Sequence, residues 1–419
     1  MAQIMNRQKW GLFIVLLTSF IVIGLNHGAV AAEKGPIKFG YLAPLSGSRA
    51  QVGADMVAGF KMRLAENNYM VAGRKIELIV EDHKQPSMAV TTARKLINHH
   101  KVNYIAGCFS SNVAYAVAPL TTEANVPFMI TAANGNDITQ RKHAKNMFRA
   151  NCAGTQICHV AGDWAYKKLG WREVAILGWE HAFGQESIGA FQRVFEGHGG
   201  KVVQRIYVPR KTLDFGPYVS SLKPDADGLY AVITAGPSLR FLRTLKASGL
   251  MDKWKVLTVL TGTDESFLQE LGDTGLGVYS VNNWSPALDT PESKAWVEKA
   301  KKETKREISG PIMDSYVAGQ WVLQAIEAIN GDVEDKQKFL DALWAVEIKS
   351  TPHGPIKPDK YGNPIQNVYV RKVEKVGGLY QNSVIDKYEN ITQFWTYDPE
   401  TFLKEPPYSK DNPPCKYCR

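Results

Sequence analysis

Ile37-Lys38-Phe39-Gly40-Tyr41-Leu42-Ala43 runs into Pro44-Leu45-Ser46-Gly47-Ser48-Arg49-Ala50-Gln51-Val52-Gly53 and then into the amphipathic segment Asp55 to Asn68. The stretch reads as a buried strand, a glycine-rich polar turn and a helix carrying Met56, Phe60 and Leu64 on one face. Strand and helix in alternation are the mark of an α/β fold.

Working outward, the alternation continues. Strand-like apolar runs lie at Lys75 to Glu81, Tyr104 to Cys108, Phe128 to Thr131, Val174 to Gly178, Val202 to Val208, Leu229 to Thr234 and Val256 to Leu260. Helical patterns separate them, for example Val90, Ala93, Leu96 and Ile97 on one face. The series breaks near Phe148 to Thr155 and starts afresh, and a second irregular crossing lies at Asn282 to Pro286. Tyr316, Leu323, Ile326 and Ile329 then mark a long helix. From Thr351 onward Pro, Gly, Tyr and Asn accumulate, which predicts short antiparallel strands and an extended tail. The expected architecture is α/β with two lobes, each a mainly parallel sheet flanked by helices. Ligands of open parallel sheets bind at the carboxyl ends of the strands, so the two lobes are expected to share a cleft that bending at the crossings closes.

Bulk properties agree with two lobes, because 419 residues exceed what one core usually serves. Residues 1–32 carry Arg7 and Lys9, an apolar stretch from Gly11 to Leu25, and the small residues Ala29, Val30, Ala31 and Ala32. That pattern predicts an export signal cleaved after Ala31 or Ala32 and a mature protein in the periplasm. The apolar stretch of about 15 residues is shorter than the roughly 20 that span a bilayer, so no membrane insertion is expected after cleavage. Loss of Arg7 and Lys9 lowers the net charge from +9 to +7, and the remaining basic residues are scattered among acids, which does not suggest nucleic acid. Five cysteines in an exported chain make disulfides plausible. Cys152 and Cys158 are close enough to close one small loop and Cys415 and Cys418 another, with Cys108 left as a buried thiol.

The strongest site candidate is Gly107-Cys108-Phe109-Ser110-Ser111-Asn112, a strand end entering a helix. Free amides at the helix start, with two hydroxyls, favour a carboxylate, although capping by Ser110 or Asn112 explains the residues equally well. The turn Thr131-Ala132-Ala133-Asn134-Gly135-Asn136-Asp137 follows the next strand, so its amides would converge on the same ligand group. In the other half, Gly178-Trp179-Glu180-His181-Ala182-Phe183-Gly184 and Thr261-Gly262-Thr263-Asp264 also follow strands. Trp179 or Phe183 could stack on a ligand and Asp264 could meet an ammonium group; core filling and helix capping are the structural alternatives. The sequence holds no Gly-x-Ser-x-Gly, His-Glu-x-x-His, phosphate-loop or dinucleotide-loop motif, so neither enzyme, cofactor nor metal is expected.

Leu45-Ser46-Gly47 with Gly53, Gly107 to Ser111 before Ala118-Pro119, Val126-Pro127, Phe148-Arg149, Ala182-Phe183-Gly184, Gly249-Leu250 and Asp314-Ser315-Tyr316 occur in a characteristic order. So does Thr351-Pro352-His353-Gly354-Pro355-Ile356 with Asp359, Gly362 and Asn363. In these features the chain resembles the type I periplasmic binding proteins that serve ABC importers of branched-chain amino acids (Leu/Ile/Val). The resemblance implies a two-lobed trap with lobe 1 at 37–150 plus 286–348, lobe 2 at 151–285 plus 349–400, and a tail at 401–419. It also implies that Ser110, Ser111 and Ala133 hold a carboxylate, with Asn134 beside them. Asp264 would meet an amine, and Phe183 stands where the family commonly has Tyr. Val52 replaces an aromatic residue often found in the first loop, and Ala235 with Gly236 stands where leucine receptors carry bulk, so the pocket is expected to be roomier. Relatives with Gln393-Phe394-Trp395 and Asp398-Pro399 include receptors for aromatic acids. The implied partners are a small carboxylate ligand and a membrane permease, with the protein acting as a monomer. A ligand-sensing domain for a signalling partner is the alternative from the same fold, and a secreted hydrolase the alternative from outside it.

Overall fold

A computed structural model describes residues 34–83 and 85–419; the expected export signal at 1–32 lies outside the described residues. The first sheet contains β1 (Ile37–Ala43), β2 (Met70–Val71), β3 (Arg74–Asp82), β4 (Tyr104–Gly107), β5 (Phe128–Ile130) and β6 (Met147–Arg149), in the order β2-β3-β1-β4-β5-β6. Every pairing in it is parallel except β2 with β3. Because β1 lies between two parallel neighbours with helices on both faces, it is buried along almost its whole length and reads as a continuous apolar run. Crossover helices α1 (Ala50–Glu66), α2 (Pro86–Arg94) and α3 (Ser111–Glu123) supply the covers. One face carries Phe39, Tyr41, Met56 and Phe60, the other Leu42, Leu96, Ile105 and Val117.

After β6 the chain crosses to a second sheet through α4 (Gly154–Lys167). There β7 (Glu173–Trp179), β8 (Lys201–Val208), β9 (Gly228–Val232), β10 (Lys255–Val259) and β11 (Tyr279–Asn282) pair in parallel in the order β8-β7-β9-β10-β11. Their helices are α5 (Ala182–Gly197), α6 (Gly216–Ser220), α7 (Gly236–Ala247) and α8 (Glu265–Leu271). The chain then returns: α9 (Pro291–Thr304), α10 (Gly310–Ala328) and α11 (Lys336–Trp344) bury Trp296, Trp321 and Leu343 in the core of the first sheet. A third crossing brings β12 (Lys357–Pro358), β13 (Pro364–Val376) and β14 (Leu379–Ile391) back to the second sheet, where β13 pairs antiparallel with β11. The α/β architecture of two mostly parallel, helix-covered sheets is therefore as the strand and helix alternation implies. Among the described residues no helix is long and apolar enough to cross a membrane.

Both sheets use the same tight return from strand to helix. A Cβ at Gly53 would stand 2.0 Å from the Pro44 carbonyl oxygen, and one at Gly184 would stand 2.0 Å from that of Trp179. Only glycine allows these helix starts to pack so close to the strand tip they leave.

Three expectations are corrected. The segment after Thr351 forms a hairpin of two 13-residue strands turned at Gly377-Gly378, not only short strands, because β13 and β14 pair with each other from Gln366 and Ile391 to Val376 and Leu379 while β11 holds the middle of β13. Residues 401–419 are not simply extended: α12 (Pro399–Lys404) forms, Phe402 is buried, and the chain beyond it docks on α5 and β8 through Gln192 and Arg205. Of the two cysteine loops, Cys415–Cys418 is bonded, whereas Cys152 and Cys158 are separate buried thiols, as is Cys108. Cys158 lies inside α4 and packs in the core, while Cys152 precedes the helix and its sulfur accepts a hydrogen bond from Asn134 Nδ2 at 3.3 Å.

Candidate functional site

At the tip of β4 the backbone leaves the sheet through Gly107 to Ser110 and enters α3 at Ser111. Ser110 occupies the N-cap in extended conformation (φ −93°, ψ 130°), yet its side chain makes no capping bond. The first amides of α3 have no acceptor within the helix and carry the positive end of its dipole. Ser110 and Ser111 both face a cavity, so hydroxyls and helix amides are presented together.

The neighbouring turn, after β5, is held from below by one cation. Arg149, at the end of β6 and without solvent exposure, donates from Nη1 to the Ala133 carbonyl and from Nη2 to the Gly135 carbonyl at 2.6 Å. Burial lowers this guanidinium to about 10, opposed by the nearby Cys152, Tyr115 and Glu186. With its carbonyls turned toward Arg149, the turn leaves Ala132 and Asn134 on the cavity side. Asn134 is fixed there by donating to the Cys152 carbonyl at 2.7 Å.

The opposite wall comes from the second sheet. His181 and Phe183 lie where β7 returns into α5, Thr234 follows β9, Leu260 and Thr261 follow β10, and Asn282 ends β11. Arg49 and Phe109 close one end; Asn151, Gly310, Pro311 and Asp314 complete the lining. The cavity volume is ≈ 60 Å³. Burial places His181 at about 3, lowered further by Arg210 and Arg49, so it is neutral at pH 7. Burial also raises the Asp314 carboxyl well above the usual range, against one hydrogen bond of 2.9 Å from Asn283 Nδ2 to its Oδ1.

The residues expected from sequence distribute unevenly about this space. Ser110, Ser111, Asn134 and Phe183 are on its wall. Ala133 lies fully buried just behind it, with its carbonyl taken by Arg149. Trp179 is 1% exposed, packed in the core and stacked on His181 with ring centroids 6.1 Å apart. Ala235 is at the N-cap of α7, one residue past Thr234. Val52 stays half-buried on α1. Asp264 caps α8 by accepting from the Ser266 amide at 3.1 Å, and burial and the adjacent Glu265 both raise its carboxyl. The acid on the wall is instead Asp314, from α10. Arg49, His181, Thr261 and Asp314 all fall within segments notable in the sequence, but the side chain that points inward is set by local backbone geometry.

A family model described as "Periplasmic binding protein" matches residues 36–378. The chain is 30% identical over 386 residues to the Leu/Ile/Val-binding protein homolog 6 of Brucella melitensis, covering 90% of this chain and 97% of that protein. Among solved structures, an ABC transporter substrate-binding protein from Sphaerobacter thermophilus is 32% identical with a TM-score of 0.81, over 85% of this chain and 99% of that one. A solute binding protein of an ABC transporter from Rhodopseudomonas palustris BisB5, in complex with 3,4-dihydroxybenzoic acid, is 30% identical with a TM-score of 0.81, over 86% and 99%. All three are named as binding proteins, two of them of ABC transporters. With the fold, the cavity between the sheets and a family match across most of its length, the chain belongs to the periplasmic binding proteins of the Leu/Ile/Val type, the substrate-binding components of ABC transporters.

Proposed function

We propose that this protein captures a small carboxylate-bearing solute between two closing lobes and delivers it from the periplasm to a membrane permease. Of the two ligand classes its relatives suggest, an aromatic carboxylic acid is the first reading and a branched-chain amino acid the second. The lobes are 37–150 plus 286–348 and 151–285 plus 349–400. The observation that carries the reading is the uncapped start of α3, whose serines face a cavity walled on its far side by His181, Phe183 and Leu260 of the other sheet. The ligand carboxylate would accept from the Ser110–Ser111 turn, and its ring would lie against Phe183 and Phe109. A ligand touching both lobes binds the closed form more tightly than the open one and so shifts the population toward closure. The dihydroxybenzoate complex of the Rhodopseudomonas palustris relative supports an aromatic ligand.

A branched-chain amino acid is the second reading, favoured by the naming of the Brucella melitensis relative. Its ammonium group would face Asp314, the wall's carboxyl group, rather than Asp264. Calorimetry of the mature protein with benzoate, 4-hydroxybenzoate, leucine and the primary amide of each decides the matter. At least one acid is expected to bind tenfold or more tightly than its amide. Equal binding of every acid and amide would remove the carboxylate from the mechanism.

A further inference from the structure

The cavity adjoins a second hollow of ≈ 350 Å³, which shares Arg49, Phe109 and Ser110 with it and adds His83 and Arg210. Arg49 belongs to the turn after β1 in the first sheet, and Arg210 follows β8 at the edge of the second. Two guanidinium groups thus reach one space from opposite sides of the cleft. Among the described residues neither takes part in an ion pair, and Arg49 is accompanied only by the Phe109 ring, 5.6 Å from its Cζ. The nearby carboxylate of Asp82 is engaged by the Leu45 amide at 2.9 Å and the Ser46 hydroxyl at 2.7 Å.

Elsewhere among the described residues the buried arginines are bonded through their terminal nitrogens. Arg149 is bonded to carbonyls, and Arg371 to Glu265 Oε1 at 3.5 Å, the Leu260 carbonyl at 2.9 Å and the Trp284 carbonyl at 3.2 Å. Arg49 and Arg210, half-buried at the hollow, have no such bonds among the described residues. His83 gives a second observation: it is 2% exposed, borders the same hollow, and among the described residues neither ring nitrogen has a hydrogen-bond partner. Burial, then the Arg210 charge, lowers Arg49 to about 10. His83 is lowered to about 4, mainly by burial and also by both arginines, with Asp82 opposing, so it can accept no charge of its own at pH 7.

Two like charges brought together by closure oppose it, and partly buried cations without partners add a desolvation cost. An anion between them removes both penalties, and because Arg49 and Arg210 sit on different sheets it does so only in the closed form. Selective closure on such a ligand follows from that difference.

We infer that the transported ligand carries two anionic groups, one at the Ser110–Ser111 turn and a second, carboxylate or phosphate, between Arg49 and Arg210. This rests on the carboxylate reading of the inner cavity and narrows its ligand class. The test is titration calorimetry of the mature protein with terephthalate and 4-phosphonobenzoate, each against 4-carbamoylbenzoate, which keeps the shape and the first carboxylate but loses the second charge. One dianion is expected to bind at least 30-fold more tightly than the carbamoyl acid, and which one does so identifies the second group. In Arg210→Gln, with its fold checked by circular dichroism, that ratio should fall below about threefold. Equal affinity of dianion and carbamoyl acid in the wild type, or an unchanged ratio in Arg210→Gln, overturns the inference while leaving a monocarboxylate receptor intact. If no acid binds a protein that melts cooperatively, the carboxylate reading falls with it.

Discussion

Asp314, on the cavity wall, offers the test between the two proposed ligand classes. Its carboxyl is buried, held by one bond from Asn283, and pushed by burial well above the usual carboxylate range, a shift that an approaching cation would oppose. If the ligand brings an ammonium group, Asp314→Asn should weaken binding by roughly 100-fold, since removing one partner of a buried charge pair costs about 3 kcal/mol or more. With an aromatic acid the same variant should bind within about threefold of wild type; calorimetry with leucine and benzoate measures both. His159 permits a second prediction, about stability. It is fully buried on α4, bonded through Nε2 to the Tyr408 hydroxyl at 3.1 Å, and burial lowers it to about 3. Its ordinary value in the unfolded chain is about 6.5. The unfolded state therefore takes up the proton first, and the stability that neutral His159 contributes is complete above about pH 6.5 and lost as pH falls toward 3. Urea unfolding at pH 7 and pH 4.5 should show wild type losing about 1.4 kcal/mol more per pH unit below 6.5 than His159→Phe. Parallel losses in the two proteins would mean His159 titrates normally.

Among elements, the strand-to-helix returns are the parts most sensitive to a single methyl group. At Gly184 a Cβ would meet the Trp179 carbonyl oxygen at 2.0 Å, and backbone cannot yield as a flexible side chain does. Gly184→Ala is expected to cost about 1–3 kcal/mol in urea unfolding and to weaken ligand binding, because α5 begins with Ala182 and Phe183 and must shift to make room. An unchanged unfolding midpoint with unchanged affinity would contradict that packing. The C-terminal segment is also an element in its own right. Phe402 and Tyr408 cover His159, Arg193 pairs with Glu405, and Arg141, from the first sheet's side, donates to the Phe402 carbonyl at 2.9 Å. Tail residues thus join groups far apart in the chain. Its composition of Pro, Tyr and Lys shows only that it does not continue the crossover units; its place on α5 depends on partners more than 200 residues away.

For the whole molecule, a cavity with walls from both sheets and three chain crossings between them predicts a ligand-dependent change of shape. Small-angle scattering of the mature protein should show the radius of gyration falling when a binding acid is added and not when its amide is. A radius that is the same with and without a tightly bound acid would exclude closure as the response. Alternating strands and helices, the Phe148–Thr155 break and the Ser110–Ser111 turn were legible from residue order, because apolar periodicity and strand-end chemistry are local properties. β6 and β11 were not read as strands, since Arg149 in the one and Ser280 and Asn282 in the other interrupt the apolar run that marked the equally short β4 and β5. The sequence by itself determined the α/β class, the two-sheet organisation and the family. Only the tertiary structure decided that Asp314 rather than Asp264 lines the cavity, that Cys152 and Cys158 stay apart, and that Arg49 and Arg210 border one hollow. The direction of a side chain in a turn, and the distance between groups on different sheets, follow from three-dimensional packing and leave no periodic trace along the chain.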